Sequence, residues 1–160
     1  LASGRFARLA LDLLAWAHDL SAEKSKADAK ADALRRLAPR QLARAHRKLR
    51  DAARFFVALS PERRHAVRIL AKRLRYALDL FAVTLPAQPT AGYVEQLAHM
   101  QDLLGELNDV AVARATLTEF GAAPALRSAI EATLAAREAG ALQQAEAQLH
   151  ALFDLPPPWD

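Results

Sequence analysis

The sequence predicts an all-α fold, an antiparallel bundle of about five helices, and three observations carry the prediction. Among 160 residues there are 38 Ala and 27 Leu, whereas Val, Ile and Thr together supply only 13, so helix formers far outnumber strand formers. Apolar residues recur at three- and four-residue steps, the period of one helix face. Prolines and glycines fall at a few places and cut the chain into helix-length pieces. The hydrophobic content of 52% is enough to bury a core, and residues 1–160 read as one helical domain or half-domain.

Taken in order, Phe6, Leu9, Leu13 and Trp16 predict a core-packing helix from Gly4 to about Leu20. Residues 21–37 are rich in Ala, Lys and Asp with few large apolar side chains, and read as a mobile connection. A second helix is expected from Pro39 to about Leu59, with Leu42, Leu49 and Phe56 on a seven-residue step facing the core. Ser60-Pro61-Glu62 is a helix start: a hydroxyl cap, a proline at the first position and a carboxylate at the positive end of the dipole. That third helix should reach about Leu85. Two prolines and a glycine predict a loop over 86–92, then a long helix from Tyr93 to Phe120 closed by Gly121. A last helix begins near Pro124 and ends before Pro156-Pro157-Pro158.

Charge is distributed unevenly. Residues 40–75 hold 12 Lys and Arg against only Asp51 and Glu62, although the whole chain carries a net +4. On a helical wheel, His65, Arg68, Lys72, Arg75, Tyr76 and Asp79 share a face of the third helix away from Val67, Leu70, Leu74, Leu78 and Phe81. Arg40, Arg44, Arg47, Arg50 and Arg54 do the same on the second, opposite Leu42 and Leu49. Neighbouring helices joined by a short turn would set the two stripes side by side as a positive groove. Like charges at four-residue steps cost an isolated helix about 0.2–0.5 kcal/mol per pair, and a bound polyanion offsets that cost. The competing reading is a solvated or internally paired surface, with Glu95, Asp102, Glu106 and Asp109 of the fourth helix as partners.

Other chemistry is sparse. With no cysteine, disulfides and thiolate metal sites are excluded, as expected of a cytoplasmic protein. No apolar run is long enough to span a membrane and no secretory signal pattern is present. The histidines lack metal-ligand spacing, so neither metal nor cofactor is expected. No nucleophile–base pair or glycine-rich phosphate loop is found, so the chain reads as no enzyme. His18, His99 and His150 suggest no role. Gln101 and Asn108, near the edge of the apolar face, read as a buried polar pair fixing helix register. Gly105 reads as a close backbone approach.

The segment His65-Ala-Val-Arg68-Ile-Leu-Ala-Lys72-Arg73-Leu-Arg75-Tyr76, followed after a proline-containing loop by Leu97-Ala-His-Met-Gln101-Asp102-Leu-Leu-Gly105-Glu-Leu-Asn-Asp109, closely resembles the second half of the conserved histidine α-helical domain, CHAD. The resemblance implies a helical, non-catalytic module that binds inorganic polyphosphate through histidines and basic side chains. Matched residue by residue, it assigns binding to His65, Arg68, Lys72, Arg73 and Arg75, and, on the helix before, to His46, Arg47, Arg50 and Arg54. Asp109, Asp102 and Tyr76 take orienting roles. The family's domain looks two-lobed, so the other lobe or a second copy is an implied partner, and polyphosphate granules an implied location. Alternatives are a nucleic-acid-binding bundle, which lacks aromatic stacking platforms beyond Phe55 and Phe56, and a scaffold docking an acidic protein.

Overall fold

The computed structural model describes residues 24–121 and 123–159, and these are all-helical. Four α-helices follow one another: α1 (Lys24–Ala52), α2 (Pro61–Phe81), α3 (Ala87–Glu119) and α4 (Pro124–Asp154), with single 3-10 turns at Phe56–Ala58 and Ala82–Thr84. The helix expected over 4–20 lies outside the described residues.

The sequence suggests a connection over 21–37, but among the described residues the chain is already helical from Lys24 and runs through Pro39 without a break. A proline inside a helix costs about 3 kcal/mol. Packing on both sides of it offsets that cost: Ala38, Leu42 and Leu49 are fully buried and Leu34 packs against the same core. At the other end α1 stops at Ala52 rather than near Leu59, and Phe55 adopts a left-handed backbone conformation, φ 58°, before the 3-10 turn.

Helix α2 starts as its sequence dictates. Ser60 Oγ accepts from the Arg63 N–H at 3.5 Å and donates to Glu62 Oε2 at 2.7 Å, which holds the Glu62 carboxyl below its ordinary range. The expected loop over 86–92 contracts to Pro86, since α3 begins at Ala87. Pro89 fits there because backbone N–H groups in a first turn have no intrahelical acceptor. Thr90, buried, donates its hydroxyl to the Pro86 carbonyl at 2.6 Å. Gly121, at φ 61°, supplies the left-handed turn that ends α3.

Each helix packs on the next in the chain. Leu42 and Leu49 of α1, Val67, Leu74 and Leu78 of α2, Leu97, Met100 and Leu104 of α3 and Leu149 and Leu152 of α4 form one core, each contributing about 2 kcal/mol by burial. Polar side-chain contacts between α3 and α4 include Thr118–Arg127, Arg114–Glu131, Arg114–Glu138, Glu106–Arg137 and Gln96–Gln148.

Candidate functional site

Because the core stripe of α1 faces inward, its basic residues are turned out. Arg40, Arg44, Arg47, Lys48 and Arg50, with Arg54 just beyond the helix, are all exposed. On α2, His65 is exposed and Arg68, Lys72, Arg73 and Arg75 are half-buried, with long stems lying on the helix surface. None of these cations forms an ion pair among the described residues. The two rows border different neighbours: His65 contacts α3, whereas the Arg50 guanidinium lies 5.7 Å from the Phe153 ring centre on α4.

The acidic residues go elsewhere. Glu106 pairs with Arg137 at 3.2 Å, and Glu95, Asp102 and Asp109 are exposed without an ion pair among the described residues. The main network instead joins three helices at partly buried positions. Arg64 donates to the Leu59 carbonyl at 2.9 Å and to Glu138 Oε1 at 2.7 Å, and Glu138 Oε2 accepts from Arg114, which also reaches Glu131 at 2.7 Å. The Arg64 bond, ahead of that from Arg114, holds the Glu138 carboxyl below its ordinary range, against the opposing effect of burial. Arg64 thus has a structural role while its neighbour His65 stays accessible. The heptad pattern gave no sign of this division, because the carboxylates that decide it lie on α4.

His65 Nδ1 lies 2.8 Å from Asn108 Oδ1. An amide oxygen accepts, so the ring donates from Nδ1–H and keeps Nε2 as the second polar position. Asn108 is therefore bonded to a histidine rather than serving only as a register lock with Gln101, whose Nε2 is buried without a hydrogen-bond partner among the described residues. Arg68 Nε is buried and unpartnered in the same sense. Gly105, read as a close backbone approach, has nothing within 4 Å of where a Cβ would stand. Tyr76 is 44% exposed, with the Arg75 guanidinium 5.6 Å from its ring centre.

His46 departs from the basic row. Its imidazole is half-buried and packs edge-on against Phe153 and Trp159, each at 5.5 Å, and against Tyr93 at 6.2 Å. Tyr93 and Trp159 meet at 5.3 Å, and burial raises the Tyr93 hydroxyl well above its ordinary pKa. This cluster ties the C-terminal tail to α1 and α3 through residues that no periodicity linked. Its signal in the sequence was the isolated Trp after three prolines.

Among the described residues no group of His, Asp and Glu is arranged to hold a metal ion, and no helix is long and apolar enough to cross a membrane. Arginine forks and lysine ammonium groups recognise phosphate, and α1 and α2 carry both. The family model described as "CHAD domain" matches residues 1–118. That span runs through α1 and α2 and along nearly all of α3. No curated protein and no solved structure matches the chain.

Proposed function

The chain belongs to the CHAD domain family, and from that premise we propose that it is a non-catalytic module that binds inorganic polyphosphate. The observation that carries the reading is the set of cations on α1 and α2 without carboxylate partners among the described residues, in a protein that pairs Arg64, Arg114 and Arg137. Uncompensated like charges on helix faces destabilise the free protein. A polyanion removes that cost and releases the counterions condensed on its phosphates.

The binding set is Arg47, Arg50 and Arg54 on α1 and the turn after it, with His65, Arg68, Lys72, Arg73 and Arg75 on α2. Arginine contributes planar two-point hydrogen bonding and lysine a compact charge. His65 contributes an imidazole oriented by Asn108. His46 enters through the aromatic cluster, where it shapes the wall beneath Arg50 rather than offering a free imidazole. Asp102 and Asp109, both exposed, act by setting the local field. A long flexible chain suits cations spread along two helices better than a compact anion does.

We further read the bundle as antiparallel, and the chain as one lobe of a two-lobed binding domain located at polyphosphate granules. The test is a titration with long-chain polyphosphate, in parallel with single- and double-stranded DNA matched in phosphate, at two salt concentrations. Polyphosphate binding that outcompetes DNA and collapses in the Arg68→Ala/Lys72→Ala double variant supports the reading. DNA binding equal to or tighter than polyphosphate binding, or no binding of polyphosphate, overturns it.

A further inference from the structure

The end of the α1 basic row differs from the rest of it. Phe55 is 75% exposed and sits at φ 58°, a conformation that is uncommon and costly for a bulky side chain. Its neighbour Phe56 is buried, so the turn divides two adjacent aromatics between core and solvent. The Arg54 guanidinium lies 5.3 Å from the Phe55 ring centre. Beside them opens a cleft of about 400 Å³ whose lining includes Arg50, Arg54 and Phe55 on one side and Glu146, His150 and Asp154 of α4 on the other.

Arg50 and Arg54 suit phosphate, but the other groups of the cleft do not suit a bare phosphate chain. Glu146 and Asp154 repel one, and an exposed aromatic ring offers it nothing. They do suit a ligand with two chemical ends. A ring held in solvent next to guanidinium groups is a stacking platform for a heteroaromatic base. Carboxylates accept from the N–H edges of bases, and Arg50 and Arg54 supply forks for phosphate oxygens. The division of charge across the cleft sets the direction, with the base towards α4 and the phosphates towards α1.

We propose that this cleft binds a nucleobase joined to a phosphate chain, the base stacked on Phe55 and the phosphates held by Arg50 and Arg54. The proposal rests on the anion-binding reading of α1 only for its phosphate contact. A free nucleoside triphosphate and a 5′-phosphorylated single strand share this chemistry.

The experiment is calorimetric titration of the whole chain, without divalent cations, with adenosine triphosphate, inorganic tripolyphosphate, a short 5′-phosphorylated oligodeoxyadenylate and long-chain polyphosphate. Stacking on an aromatic ring predicts that the nucleotide binds about tenfold tighter than tripolyphosphate, although tripolyphosphate carries at least as much charge. Phe55→Ala, at an exposed position, removes that advantage, and Phe55→Trp retains it. Equal affinities for the two triphosphates, or an advantage that survives Phe55→Ala, overturn the proposal. An oligonucleotide that binds more tightly than the nucleotide assigns the cleft to a strand, and a weaker one to free nucleotide, the proposal standing in either case. Polyphosphate binding without a nucleotide advantage defeats this inference alone. A nucleotide advantage without polyphosphate binding defeats only the reading in the previous subsection.

Discussion

His65 donates from Nδ1 to the Asn108 side-chain oxygen at 2.8 Å, so a histidine on α2 is oriented by an amide on α3. This bond is available to both the neutral and the protonated ring. The bond therefore fixes the ring instead of leaving it free to turn. His65→Ala should weaken polyphosphate binding by removing this oriented imidazole from α2. Asn108→Ala should weaken binding about threefold to tenfold, by an amount that largely disappears in a His65→Ala background, as coupled neighbours require. Affinity titrations of the four proteins at one pH check the cycle, and additive losses would break the coupling.

Salt dependence separates a polyanion site from a paired surface. Each cation that neutralises a flexible-chain phosphate adds about 0.7 to the slope of log affinity against log salt. Arg68→Ala and Lys72→Ala should each lower the slope by about that amount, and Arg64→Ala should not, because its guanidinium is engaged by Glu138 at 2.7 Å. Titration at four salt concentrations measures the slopes directly.

Glu138 links stability to pH. Its carboxyl is held below the ordinary value of 4.5, first by the hydrogen bond from Arg64, with Arg114 adding to it. A depressed folded pKa means that the unfolded chain binds the proton more readily, so the stabilisation is complete above pH 4.5 and is lost as pH falls through the lower folded value. Urea unfolding should show wild-type stability declining on acidification below that point. Glu138→Gln should start about 2 kcal/mol less stable at pH 7 and decline less steeply. Parallel curves for the two proteins would mean that the network contributes nothing to the linkage.

The helices and their buried faces were legible because periodicity and caps act locally: Ser60 at the start of α2 and Gly121 at the end of α3 stand where the sequence placed them. Pro39 was misleading. A proline reads as a beginning, and only the burial of Ala38 and Leu42 on either side of it shows why the helix continues. The basic residues were visible as a list, yet their neighbours were not. His46 and Arg50 share a wheel edge with the other cations, but they meet Phe153, about a hundred residues away in sequence. Contacts across such a separation depend on how helices dock, which no single-helix pattern encodes.

The backbone at Phe55 offers the last prediction. A non-glycine residue at φ 58° carries strain of about 1 kcal/mol or more, and with the ring 75% exposed little burial is gained in return. Glycine adopts the same conformation without a steric penalty, although it makes the unfolded chain more flexible. Phe55→Gly should therefore leave the protein as stable as wild type or more stable by up to about 1 kcal/mol, whereas Phe55→Ala, which keeps the strain and loses the contact with Arg54, should be slightly destabilising. Thermal unfolding of the three proteins gives the order. If glycine is the least stable, the strain is absent and the ring is held by packing. If glycine is at least as stable as phenylalanine, stability does not explain an aromatic at this position, and a ligand-binding role for the ring becomes the stronger account of it.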